Sequence, residues 1–288
     1  MNQIKSIYMM LLPMMLMAII GFSVYMLFTY PINYAWLTTI LTALPLLMFL
    51  IETMVMKSKP RTADFLPMHT MVASMGLVLS LIFFSFPNLH QSIQANHFAL
   101  VLSELSMVLH VAYVFWYSSL QRPVQHFLVK GEFLPSFAVY KDNREILSES
   151  FLGFSTIIIF YRGNWCPFCM AQIKELAQQY RQLVLSGIKI VLISPQPEKI
   201  TENLAKRFNV PFIFLTDKDN TVATQLGLNH KNGLPKGMEL MGYSSDTIYP
   251  TVVVTNRKGR IIYLDETPSF RNRPEPKEYL NILLKDVV

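Results

Sequence analysis

Four long apolar stretches in the first 120 residues constrain this chain more than any other feature. Ile7–Phe28, Ile32–Ile51 and Thr70–Phe86 contain no charged residue, and Phe98–Leu120 is interrupted only by Glu104 and His110. A helix needs roughly 20 apolar residues to cross the ~30 Å hydrocarbon core of a bilayer. Each stretch reaches that length or nearly so. The first is too long for the apolar region of a signal peptide, no small-residue cleavage site follows it, and further apolar stretches come after it. The expectation is an all-α transmembrane bundle of four helices over residues 1–121.

Charge divides the chain at the same place. Residues 1–120 hold four of the 25 Lys and Arg and three of the 19 acids. The remaining 21 bases and 16 acids lie beyond, giving 21 − 16 = +5 there. The second part therefore reads as an ordinary water-soluble domain. No run of bases interleaved with aromatics marks a nucleic-acid face. Lys5, Lys57, Lys59 and Arg61 precede or join apolar stretches on one side, with Arg122 and Lys130 after the fourth, while the other two loops carry no base. By the positive-inside rule both termini and the C-terminal domain face the cytoplasm, across an inner or plasma membrane. Ionisable groups within a span are costly. Glu104 and His110 are read as bundle-interior groups hydrogen-bonded between helices. His69 and His110 lie at different depths and do not suggest a shared ligand.

After a linker, 122–132, short apolar strands alternate with helical stretches. Phe137–Tyr140, Thr156–Tyr161, Ile188–Ile193, Phe212–Leu215, Thr251–Thr255 and Arg260–Leu264 read as strands, the last two joined by a hairpin turn. Met170, Ile173, Leu176, Ala177, Tyr180, Leu183 and Val184 recur at helical spacing. Pro197–Phe208, Asp219–Leu226 and a last segment bearing Leu280, Leu283, Leu284 and Val287 read as further helices. Strands separated by helices imply an α/β sheet covered on both faces, over residues 133–288.

The chain has two cysteines, Cys166 and Cys169, in Cys-Pro-Phe-Cys. Cys166 follows a buried strand and precedes an amphipathic helix whose first turn holds Pro167. A helix N-terminus favours an anion and lowers a thiol pKa, supplying the nucleophilic thiolate. Cys169, one turn on, can reach back and close a disulfide. Half of a zinc site is the competing reading, but structural zinc takes four ligands. His126 and His230, the histidines of this half, stand far apart in sequence. Inert core cysteines are the other alternative.

"FYRGNWCPFC" followed by "QIKEL" resembles the redoxin branch of the thioredoxin superfamily, the alkyl hydroperoxide reductase/thiol-specific antioxidant family, in its peroxiredoxin-like members. The likeness covers about Gly131 to Val288. It implies a thioredoxin-like α/β fold with Cys166 attacking and Cys169 resolving. "DTIYPTVVVTNRKGRIIYLD" is similar to the segment in which a cis-proline opens a strand beside the cysteines. That implies a cis Pro250 that presents the Tyr249 backbone to an extended substrate. Trp165 is expected to shield the site and Arg162 to stabilise a thiolate or bind an oxygen. One departure stands out. The family's Thr or Ser three residues before the attacking cysteine is Gly163 here. The turn-rich stretch Gly227–Asp246 is a lid or a dimer contact.

The expected function is a membrane-anchored thiol–disulfide oxidoreductase. The alternatives are a thiol peroxidase acting on hydrogen or lipid hydroperoxides, and a membrane-bound redox sensor. The partners implied are the bilayer, a disulfide or peroxide substrate, and an external thiol donor of thioredoxin or glutathione type. No cofactor or metal is called for.

Overall fold

The computed structural model describes residues 2–29, 34–56, 60–86, 93–123, 127–180 and 187–286. Lys57, Lys59, His126, Leu183, Val184 and Val287, which the sequence reading used, lie outside them. The chain divides into two compact units: Ile7–Met56 with Thr62–Ser119, and Met1–Ser6 with Lys57–Arg61 and Leu120–Val288.

The first unit is helical. α1 (Asn2–Thr29), α2 (Ala35–Met56), α3 (Pro67–Ser85) and α4 (Ile93–Val111) are followed by a π-helical turn, Ala112–Tyr117. Four helical stretches, Asn2–Thr29, Ala35–Val55, Pro67–Ser85 and Ala95–Tyr117, are long and apolar enough to cross a membrane. α2 meets α3 closely at Gly76, where a β-carbon would lie 2.5 Å from Thr42 Oγ1 and 2.7 Å from Thr42 N. Small residues at such a contact let helix backbones approach. Between α2 and α4, Thr39 Oγ1 donates to Ala99 O at 3.0 Å and Ser103 Oγ to Thr39 Oγ1 at 3.2 Å. His110 is buried and its Nε2 lies 2.9 Å from Thr70 Oγ1. This is the interhelical hydrogen bond expected of it. Glu104 differs: it is exposed on an outer face with Val101, Leu105 and Val108. The face of α4 that turns inward is the one carrying Ala99, Ser103 and Ser106, all small. At 100° per residue Glu104 falls a full step off that stripe.

The second unit holds a seven-stranded sheet. Its strands are β1 (Ala138–Lys141), β2 (Arg144–Leu147), β3 (Thr156–Phe160), β4 (Lys189–Ser194), β5 (Ile213–Thr216), β8 (Thr251–Thr255) and β9 (Ile261–Asp265). The order is β2-β1-β5-β4-β3-β8-β9. β3, β4 and β5 run parallel, and β8, β9, β1 and β2 join antiparallel. β6 (Asn229–His230) and β7 (Thr247–Ile248) form a separate small ladder. Among the described residues its α-helices are α5 (Pro167–Gln178), α6 (Glu198–Phe208), α7 (Thr221–Gln225) and α8 (Pro276–Asp286). All five residues of β3 are buried, as are all five of β8, because helices or loops cover both faces of the central strands. Each fully buried Ile or Val in this core contributes about 1.5–3 kcal/mol. The expected strands are present within a residue or two of their expected ends. β2 was not expected. Its sequence, Arg-Glu-Ile-Leu, is polar, and the turn before it is made by Asp142 and Asn143, both at positive φ. Asn and Asp tolerate that conformation.

Candidate active site

The loop from β3 to α5 is fixed by backbone and side-chain bonds. Cys166 N–H donates to Gly163 O at 3.2 Å, which closes a turn immediately before the helix. Asn164 N–H donates to Gln196 Oε1 at 2.8 Å. Gln196 Nε2 in turn donates to the buried Tyr161 and Thr201 hydroxyl oxygens, each at 3.1 Å. Cys166 is the N-cap of α5, with Pro167 next. A proline suits the first helical position because its missing N–H had no intrahelical partner to lose. Cys169 N–H, one of the free donors of that first turn, points at Cys166 Sγ at 3.4 Å.

Gly163 is a steric requirement. Its φ is +147°, and a β-carbon there would lie 2.5 Å from Trp165 Nε1 and 2.7 Å from its Cδ1. The indole folds back over the glycine, and the Arg162 guanidinium stacks on it, 4.7 Å from the ring centroid. The family's hydroxyl-bearing residue cannot stand where Trp165 packs. Trp165 therefore acts on the loop and on Arg162, and is itself only half-buried.

The two sulfurs lie 2.7 Å apart, and each cysteine is 1% exposed. Burial pushes the Cys166 thiol up, and its hydrogen bond with Cys169 adds to that. Burial pushes Cys169 the same way, but the bond to Cys166 and the charge of Arg273 outweigh it and bring that thiol down to about 6. The local fields compete for the charge: the Cys169 N–H and the helix N-terminus favour it on Cys166, while Arg273 Nη2, 3.9 Å from Cys169 Sγ, favours it on Cys169. The pair consequently titrates as a unit, losing its first proton easily and holding the second.

The segment after β9 closes the site. Phe270 packs edge-on to Phe168 at 5.7 Å, and the Arg162 guanidinium lies 5.5 Å from the Phe270 ring. Arg271 and Arg273 are 1% and 5% exposed. "RNRP" looks like a surface run in the sequence, so nothing there signals Arg273 as a neighbour of the thiols. Gln196 and Phe270 are equally silent.

Tyr249 and Pro250 differ from expectation. No cis peptide bond occurs among the described residues, so Pro250 is trans. Nor is the Tyr249 backbone free for an extended partner. Its N–H donates to Leu228 O at 2.7 Å, and its carbonyl accepts from Thr251 Oγ1 at 3.0 Å. Its ring stacks on His230 at 4.5 Å, and Arg122 lies 5.2 Å from the ring on a guanidinium that also donates to Pro250 O and to Thr251 Oγ1 at 3.0 Å. Intradomain partners take what a substrate strand would need. X–Pro bonds stay trans by about 0.5–1 kcal/mol where no contact demands otherwise.

The stretch 227–246 packs on the active-site loop. Arg162 Nη2 donates to Gly233 O at 2.6 Å and the Tyr243 hydroxyl to Asn164 Oδ1 at 2.5 Å, and Thr247 of β7, just beyond the stretch, donates from Oγ1 to Arg162 O at 2.8 Å. Arg162 is thereby buried and aimed across the loop, not displayed at the surface.

A dithiol at the start of the helix that follows a central parallel strand, in a sheet ending with an antiparallel hairpin, defines a thioredoxin-like redoxin domain. Residues 131–264 match the AhpC/TSA family. Among curated proteins, a bcp peroxiredoxin of Coxiella burnetii is 27% identical over 46% of this chain and 95% of its own length. Chloroplast peroxiredoxin Q of Populus jackii is 28% identical over 34% of this chain and 47% of its own length. Among solved structures, reduced Prx3 of Vibrio vulnificus aligns with 17% identity and a TM-score of 0.47, over 55% of this chain and 99% of that one. The C-terminal half of the chain is thus similar to the AhpC/TSA family and its peroxiredoxins, and the chain is an oxidoreductase.

Proposed function

We propose that this chain is a membrane-anchored thiol-dependent peroxidase that works through the Cys166–Cys169 pair. One observation carries the choice of a small oxidant: both cysteines are 1% exposed, with Arg273 Nη2 3.9 Å from Cys169 Sγ. A hydroperoxide can enter such a site, whereas a protein disulfide needs an exposed sulfur and a free backbone edge. The occupied Tyr249 backbone points the same way, and so do the peroxiredoxin relatives. In the cycle, the proton that the pair retains passes from Cys166 to Cys169 across the 2.7 Å sulfur–sulfur contact, and the resulting Cys166 thiolate attacks the distal peroxide oxygen. The O–O bond breaks, the alkoxide or hydroxide leaves and takes a proton, and Cys166 becomes a sulfenic acid. Cys169 then displaces water to form the disulfide. Two electrons from an external thiol donor of thioredoxin or glutathione type restore the dithiol. Arg162 and Arg273 stabilise the thiolate. α1 to α4 span the membrane with the redox domain on the cytoplasmic side, which places lipid hydroperoxides within reach.

The decisive test mixes the reduced full-length protein, in detergent micelles, with hydrogen peroxide and counts remaining thiols over time. A rate orders of magnitude above that of a free thiolate supports the proposal. The rate of an ordinary thiol sinks it and leaves thiol–disulfide exchange. That second reading is favoured by Gly163, which supplies no hydroxyl to hold a peroxide. Topology is tested separately by reporters fused after Val288. Activity of an export-only reporter overturns the cytoplasmic placement.

A further inference from the structure

Arg61 lies in the connection between α2 and α3, a segment that groups with the redox unit. Its guanidinium makes four bonds there. Nη1 and Nη2 donate to Glu175 Oε1 at 3.1 Å and Oε2 at 2.6 Å, a bidentate pair. Nε donates to Arg273 O at 3.0 Å, and Nη2 also to Pro274 O at 3.2 Å. Glu175 belongs to α5, the helix that starts at the dithiol. Arg273 belongs to the segment that covers it. One planar side chain therefore ties the active-site helix to its cover. The fork geometry of a guanidinium suits this task, and a lysine ammonium cannot reproduce it.

We propose that Arg61 is a positioning residue for the dithiol: by clamping the Arg273–Pro274 backbone to Glu175, it holds the Arg273 guanidinium beside Cys169 and keeps the cover shut. The segment joining two apolar helices thereby takes part in the chemistry of the redox site, in addition to connecting those helices. The proposal rests on the Cys166–Cys169 pair being the reactive dithiol, but not on which oxidant it meets. The charged and titratable groups facing the pair are Arg162 and Tyr161 at the end of β3 and Arg273 from the cover. Arg61 touches neither sulfur, so its effect on them is relayed, and the proposed relay is Arg273, whose carbonyl it holds.

The test is the pH dependence of alkylation by iodoacetamide, read by intact mass on the full-length protein in detergent. The chain has no other cysteines, so each adduct reports on this pair. In Arg61→Ala the midpoint should rise by about one pH unit, because an opposite charge within about 4–6 Å lowers a pKa by about 1–3 units. The plateau rate at high pH should rise as well, as the cover loosens. Arg61→Lys should restore neither fully. Glu175→Gln, a gentler change should Arg61→Ala fold poorly, should move the midpoint the same way by less. In an Arg273→Gln background Arg61→Ala should leave the midpoint where it is. An unmoved midpoint in both Arg61→Ala and Glu175→Gln overturns the proposal, whatever the plateau does. So does an equal shift in the Arg273→Gln background, since Arg61 would then act by another route. Alkylation needs no peroxide turnover, so a failed peroxidase reading and a failed Arg61 reading give different results.

Discussion

The helical unit and the redox unit differ in what they expose and in the polar residues they bury. In the first, large apolar side chains face outward: Phe28 is 84% exposed, Val55 75% and Val108 63%. Beside Leu12, Leu16, Trp36 and Phe49, it hides a set of small polar residues: Thr38, Thr39, Thr42, Ser80, Ser103 and Ser106. In the second, Ile157, Ile158, Val191 and Val253 are wholly buried, and the polar groups kept inside include the three nearest the dithiol loop, Arg162, Gln196 and Arg273. In water, burying an Ile is the driving force. Between helices that lie among lipid tails, as proposed for the first unit, that force vanishes, and close backbone approach with side-chain hydrogen bonds takes over. One chain thus solves two packing problems, and only one of the solutions makes a chemical site.

Four expectations can break or sharpen that contrast. Cys166→Ser should abolish thiol turnover outright. Cys169→Ser should stop cycling but leave a sulfenic acid on Cys166, trapped by dimedone after one peroxide addition. Trapping on Cys169 in Cys166→Ser, and none in Cys169→Ser, would reverse the two roles.

Gly163→Thr restores the family's hydroxyl, yet it should damage the site. The β-carbon collides with the indole of Trp165, and φ of +147° strains any side chain. A loss of about 1–3 kcal/mol of stability is expected from the strained backbone. Thermal unfolding of the redox unit reads the loss, and peroxide rate shows whether the added hydroxyl compensates. A faster, equally stable variant would mean that Trp165 does not hold this position in solution.

Gly76→Val should cost about 1–3 kcal/mol, through overpacking against Thr42, in the helical unit alone. The alkylation rate of Cys166 and Cys169 in the folded fraction should stay as it was. A changed rate would show that the chemistry is not confined to the redox unit.

The pH effect is the mildest. The folded pair has a first pKa pulled down to about 6, below the ordinary thiol value, so thiolate is present above that pH and lost as pH falls through it. Alkylation should drop by about tenfold between pH 7 and pH 5, the range a group with this pKa covers. A midpoint near 8.5, the value of a free cysteine, would mean that Arg273 and the sulfur–sulfur contact do not act together.

The sequence by itself determined the elements and the reactive pair. Unbroken apolar runs fix four long helices, and β-branched runs such as "TIIIF" fix buried strands, because both signals are local in the chain. Cys-Pro-Phe-Cys between a strand and an amphipathic helix fixes the dithiol for the same reason. His110 and its interhelical bond were legible as well, from the cost of a polar group in an apolar run. What surrounds the thiols was not. Arg273 lies 104 positions from Cys169, and Arg61 lies 114 from Glu175. No periodicity or spacing reports partners at such separations. Gly163 could be read as a missing hydroxyl, but its cause, the indole of Trp165 folded back on it, appears only in three dimensions. Pro250 was misjudged as cis because local sequence cannot show that Tyr249 is already held by Leu228, His230 and Arg122. Glu104 was misplaced because a helix's inward face is chosen by the small residues its neighbours can meet, and that choice is made by packing.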